Sequence, residues 1–342
     1  NAVYTFLAPD DNAFKASLTA LGLPADITSI NFFSPGQLDT IIKYHLIGGE
    51  KYGSSRINPV IPNLNLYLQS SLLLAAPSAS LPPGYRMPVF MGKQGNALFA
   101  NNIPVIQPDI AVANGVIHKI AYALLPPSQI LWQRIATDPE LTYLAAAVQK
   151  ADQGDPAKTF QSALMNTAAN LTVFAPTNTA FRQLLTAQIT MALIPIVTQQ
   201  LIGGGMDPAD AAAAAPGIAQ ATATAKASTP AVFTDPDLTP VLTPTVVGGI
   251  IAYHVLGNRA FSVNLPTAMT SLPTLLNSFV PGHPGVAIEA TLTPAGVTAA
   301  VVKGAANATS SNVQINPAPG GSSDQNFING VLHKIDQVLL PQ

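Results

Sequence analysis

Five histidines are the residues of this 342-residue chain best suited to move protons or hold a metal: His45, His118, His254, His283 and His333. With a carboxylate beside one of them, the chemistry would be general acid–base catalysis. The strongest such pair is Asp10 or Asp11 with His45, which would make a hydrolase. The chain itself argues against it, because it repeats, and the repeat of Asp10-Asp11 is Thr177-Asn178, which cannot act as a general base. No H-E-x-x-H, paired-His spacing or EF-hand loop occurs, and neither G-x-S-x-G nor a P-loop is present. Cysteine is absent, which removes disulfides, thiolate metal sites and cysteine nucleophiles. No catalytic residue, cofactor or metal site is therefore expected.

The histidines sit in blocks that occur twice. Asn114-Gly-Val-Ile-His118-Lys-Ile returns as Asn329-Gly-Val-Leu-His333-Lys-Ile, each ending in Leu-Leu-Pro. Tyr4-Thr-Phe-Leu-Ala-Pro-Asp-Asp-Asn-Ala-Phe14 returns as Leu171-Thr-Val-Phe-Ala-Pro-Thr-Asn-Thr-Ala-Phe181, and Tyr44-His45 returns as Tyr253-His254. Three blocks in the same order with kept spacing mean duplication. Each copy reads as a strand followed by a capped helix. Asp10 and Thr177 are the N-caps, and Phe14 and Phe181 fold back as staples on Pro9 and Pro176. Ser34-Pro35 and Thr243-Pro244 open a second helix in each copy, with Pro at the first position. Leu38, Ile41, Ile42 and His45, like Val247, Ile250, Ile251 and His254, form one helical stripe. The histidine closing that stripe is expected to be at least partly buried, either as a satisfied structural group or as a ligand or catalytic one. In the strand after Asn114-Gly115, from Val116 to Leu125, Val116, His118 and Ile120 share a face, with neither face marked as the wet one.

These three blocks resemble the fasciclin (FAS1) family in content and order, over nearly the whole chain. The resemblance implies an α+β fold: two tandem domains, each a twisted β-wedge with helices packed on one side. The expected domains are residues 1–127 and 128–342, the second with a helical insertion at about 184–243. It further implies a non-catalytic adhesion or interaction module, extracellular or at the cell surface. The family's link between its Tyr-His region and adhesion carries over only to Tyr44, His45, Tyr253 and His254. The corner before Asn114-Gly115 holds Asp109-Ile110, whereas before Asn329 the chain reads Gln325-Asn-Phe-Ile328. A surface using this corner is therefore in doubt for the second copy.

Between Gly48 and Ala113 the text alternates strand and turn. Leu64–Ala76 and Val89–Phe99 read as hairpin strands, with turns at Asn58-Pro59 and Pro82-Pro83-Gly84. After Pro126-Pro127, helices are expected over Ile130–Thr137, Pro139–Ala151 and Ala157–Asn166, with Trp132 at the domain junction. Asn1 is followed almost at once by a strand, without such helices, so the chain is expected to begin inside its first domain. The insertion reads as helix from Leu184 to Ile202, a glycine turn at 203–205, helix from Asp207-Pro208 through Ala215, then loop to Thr243. It is either a packed ornament or a specificity element or interdomain brace.

Hydrophobic residues make up 48% and charged residues 9%, with a net charge of −2. That balance excludes a basic stripe for nucleic acid and a polybasic membrane patch. No stretch is read as long enough to cross a membrane, so no transmembrane span is expected. Partners implied are a cell-surface or matrix protein, a polysaccharide, or a second copy of the chain through self-association. A surface lipoprotein anchored upstream of Asn1 would fit, and the lack of cysteine suits a bacterial protein. The alternative reading is a carbohydrate- or small-ligand-binding surface protein using the interdomain cleft and the insertion.

Overall fold

The computed structural model describes residues 2–57, 67–73 and 84–341. Both halves are built around the same strand pair. Tyr4–Pro9 lies parallel to Gly115–Ile120, with Tyr4 opposite Gly115 and Pro9 opposite Ile120. Leu171–Pro176 lies parallel to Gly330–Ile335 in the same register, Leu171 opposite Gly330 and Pro176 opposite Ile335. The glycine of each Asn-Gly-Val block follows from this packing. A Cβ at Gly115 would stand 2.2 Å from the Tyr4 carbonyl oxygen, and one at Gly330 would stand 2.4 Å from that of Leu171.

In the first half seven strands pair in chain order and close on themselves: Tyr4–Pro9, Leu46–Gly48, Tyr67–Leu73, Arg86–Gln94, Ala97–Ala100, Ile103–Val112 and Gly115–Ile120. In the second half the strands form two four-stranded sheets. One holds Gln325–Phe327, Gly330–Ile335, Leu171–Pro176 and Val255–Leu256; the other holds Thr270–Leu272, Val286–Thr293, Gly296–Lys303 and Ser311–Asn312. Together with eight α-helices among the described residues, this is a mixed α+β fold. The expected strand Val116–Leu125 stops at Ile120, where the register with Pro9 ends. The expected strand 64–76 spans Tyr67–Leu73, and its outer parts lie outside the described residues, as do the turns at Asn58-Pro59 and Pro82-Pro83.

The helices begin where their caps put them. The Asp10 side chain accepts from Ala13 N, Ser34 from Gln37 N, Thr177 from Ala180 N and Thr243 from Val246 N. Helices Leu131–Thr137, Thr142–Ala151 and Thr159–Met165 cover one side of the second half, and Trp132 packs half-buried on that half's main core. It does not stand among the junction aromatics, as its sequence position suggested.

The insertion is a pair of packed helices, Asn178–Gly203 and Pro208–Lys226. The second runs eleven residues beyond its expected end, straight through Pro216. Pro216 is exposed on the outer side of the helix, while Ala211, Ala215, Ala219 and Ala223 bury their methyls in the interior. The first spans 26 residues with no charge after Arg182, and is long and apolar enough to cross a membrane by length and composition alone. This corrects the expectation that no stretch reaches that length. Thr and Gln interleave the apolar residues, so the absence of charge rather than a continuous apolar run gives the segment its character.

Phe90 and Phe99 of the first half pack with Phe261, Val263 and Val331 of the second in one buried cluster. Polar links flank it. The Gln94 amide donates to the carbonyls of Val263 and Leu265 at 3.1 and 3.2 Å. Buried Arg259 lies 4.6 Å from the Phe90 ring and donates to Asn170, Asn326 and the Ile328 carbonyl. Burial pushes the Arg259 guanidinium down to about 10, against the pull of Tyr44 and Tyr85. The space between the halves is thus filled by side chains at this point.

Candidate functional site

The repeated blocks bring their chemistry-bearing residues into the interior. Tyr44 and Tyr253 are both 0% exposed, and His45 and His254 are 3% and 1% exposed. The Tyr44 hydroxyl donates to the Pro88 carbonyl at 3.0 Å and accepts from Asn101 and, across the junction, from Asn326. Tyr253 donates to the Gly285 carbonyl at 2.5 Å and accepts from Ala305 N. Burial raises both phenols above their ordinary range.

The two helix-end histidines are wired identically. Nδ1 of His45 donates to the Ile41 carbonyl at 2.7 Å, and Nε2 accepts from Leu124 N at 2.8 Å. Nδ1 of His254 donates to the Ile250 carbonyl at 2.7 Å, and Nε2 accepts from Leu339 N at 2.8 Å. A carbonyl only accepts and a backbone N–H only donates, so each ring must be neutral with its proton on Nδ1. Burial lowers both pKa values, that of His254 to about 4. With both nitrogens committed to backbone, neither ring has a position left for a carboxylate or a metal. Asp10, the candidate partner of His45, spends its side chain capping Ala13.

The other two block histidines carry the opposite tautomer. Nε2 of His118 donates to the Tyr52 carbonyl at 2.8 Å while Nδ1 accepts from Asp109 N at 3.1 Å. Nε2 of His333 donates to the Ala260 carbonyl at 2.9 Å while Nδ1 accepts from Asp324 N at 3.2 Å. The carboxylate of Asp109 takes the N–H and hydroxyl of Ser54, and that of Asp324 takes those of Ser262. Ser, Asp and His therefore meet twice, yet not as a catalytic triad. The carboxylate binds the serine rather than the imidazole, and the imidazole is held by the aspartate's backbone. Burial works to raise the Asp109 carboxyl, but its hydrogen bonds from the Ser54 hydroxyl and N–H hold it below its ordinary value.

The second copy, where the sequence left this corner in doubt, has its counterpart in Asp324. It stands nine residues before His333, as Asp109 stands nine before His118. Both adopt left-handed backbone, φ 60° and 54°, a conformation aspartate tolerates better than most residues. The spacing was the available signal, and the change of neighbour from Ile110 to Gln325 masked it. The copies do differ in exposure: Asp109 is exposed and Asp324 buried.

The Asn residues opening the last strand also diverge. Asn329 is fully buried; its side chain accepts from Leu131 N and donates to the Leu164 carbonyl. Asn114 is exposed. Phe14 is half-buried and Phe181 buried in the second half's core. His283, outside the blocks, stands edge-on to Tyr253 at 5.0 Å. Among the described residues no group of three histidine or acidic side chains is placed to hold a metal ion.

Residues 1–126 match the Fasciclin domain family. Among solved structures the chain is similar to a FAS1 domain pair from the insect cell adhesion molecule fasciclin I. The identity is 16%, with 99% of this chain and 88% of that chain covered, at a TM-score of 0.37. No curated protein matches. The match falls on the residues that carry the first copy of every block, so residues 1–126 form a fasciclin (FAS1) domain.

Proposed function

We propose that the protein is a non-catalytic interaction module of the cell exterior, made of two FAS1 domains at residues 1–127 and 128–342. It holds cell-surface or matrix partners, or a second copy of itself, through its domain surfaces. FAS1 domains are generally adhesive or interacting, generally non-enzymatic and typically extracellular. The observation carrying the reading for this chain is the fate of the four block histidines. All are buried, and each has both ring nitrogens bound to backbone. What remains for recognition is the outer surface, which is poor in charge and rich in Thr, Ser, Asn and Ala. Tyr44, His45, Tyr253 and His254 then shape the module from inside rather than touch a partner.

The test is clustering of beads coated with the full chain, together with their capture on matrix proteins and surface glycans. Self-clustering or selective capture supports the reading. Neither, combined with hydrolytic turnover that His45→Ala abolishes while the fold survives, would replace it with the enzyme.

A further inference from the structure

We propose that the helical insertion and the end of the last strand form an extended groove that binds a neutral oligosaccharide. The reading does not rest on adhesion, and either can fail alone.

The groove consists of two adjoining clefts of about 520 and 580 Å³, which share Thr179 and Gln183. In the first cleft Thr179, Gln183, Thr186 and Thr190 recur at steps of four, three and four, which places them on one face of helix Asn178–Gly203. Gln220 and Thr224, one turn apart on helix Pro208–Lys226, line the same cleft. At 1.5 Å per residue the Thr179–Thr190 run extends roughly 16 Å, enough for a chain of sugars rather than one ring. The second cleft continues it, lined by Asn307, Gln314, Asp336 and the apolar Leu184 and Leu340.

The chemistry selects hydroxyl groups. A sugar hydroxyl both donates and accepts, and an amide does the same with two separate atoms. The side-chain amides of Gln183, Gln220 and Gln314 have no hydrogen-bond partner within the described residues. The hydroxyls of Thr190 and Thr224 donate to the carbonyls four residues back, which leaves their lone pairs to accept. The charges along the groove are largely spoken for. Glu140 is paired with Lys334 at 2.6 Å, and the Asp336 carboxylate accepts from Ser311 and Asn312. Arg182, already donating to Thr179, is the lone cation of the lining, too little for a phosphate chain. No aromatic ring lines either cleft, so the ligand is held by hydrogen bonds and contacts with the apolar lining, without stacking.

The experiment titrates the full chain with cellohexaose, maltohexaose, xylohexaose and mannohexaose, following side-chain amide resonances. At least one hexasaccharide should shift the Gln183 and Gln220 amides, and its monosaccharide should bind about tenfold or more weakly. The double variant Gln183→Ala, Gln220→Ala, both exposed helix positions, should weaken binding at least about tenfold with unchanged circular dichroism. No shift with any of the four, or binding that the double variant leaves intact, overturns the proposal.

Discussion

Helix Pro35–His45 and helix Pro244–Tyr253 are the same element with opposite outer faces. Inside, they agree: a capped start, a buried tyrosine, and a histidine tied to the carbonyl four residues back and to the backbone near the half's end. Outside, Val247, Gly248, Ile251 and Ala252 are buried, while Leu38, Asp39, Ile42 and Lys43 at the matching positions are not. Ile42 is 58% exposed, although the sequence stripe placed it with the core. Helix Thr142–Ala151 packs on the second helix, and Phe160 lies 3.0 Å from where a Gly248 Cβ would stand. On the first helix the same place carries an exposed Asp39–Lys43 ion pair at 2.7 Å. The backbone tethers are fixed by the fold, and the outer face is written by whatever covers it.

The comparison breaks most visibly if the faces are exchanged. Gly248→Asp should push a carboxylate against Phe160 and cost on the order of 4 kcal/mol in a denaturant titration. The mirror change Asp39→Gly should cost less than about 1 kcal/mol, the small difference in helix propensity between aspartate and glycine plus an exposed ion pair. Equal costs would mean the two faces are equally packed. Arg259→Met leaves the Asn170, Asn326 and Ile328 oxygens without their donor at the junction and should cost about 3 kcal/mol. Calorimetry should then resolve two transitions where the parent shows one.

Acid sharpens the comparison further. The folded-state pKa of His254 is depressed to about 4, so its contribution is fully present above about pH 6.5 and is lost as pH falls toward 4. The loss amounts to about 3 kcal/mol at most. His45 shifts in the same direction, so stability should fall with pH in both halves, as denaturant midpoints between pH 7 and pH 4 would show. The smallest effect is Lys43→Ala, which removes a solvent-exposed pair and should change stability by less than about 0.5 kcal/mol.

Much of this was legible in the sequence because it is local. Asp10, Ser34, Thr177 and Thr243 announce their caps by type and position, and the Asn-Gly-Val block at Asn114 announces the strand that follows it, though not that strand's parallel partner. What depended on distant cover was not legible. The apolar stripe ending at His45 looks identical to its twin, and only the packed helices around 131–165 decide which stripe is buried. Pro216 reads as a helix end until the buried alanines beyond it are seen against the neighbouring helix. Asp324 was readable by its spacing to His333, yet its role rests on its own N–H, carboxylate and left-handed backbone, which neighbouring residues do not reveal.

The block histidines are neutral internal tethers. Ring nitrogen NMR of the full chain across pH 7 to pH 4 tests this most directly. The expected result is the Nδ1–H tautomer for His45 and His254, the Nε2–H tautomer for His118 and His333, and a His254 that stays neutral until about pH 4. A His254 that titrates near pH 6.5, or takes the other tautomer, would contradict it and return that ring to the surface as a group free to bind or react.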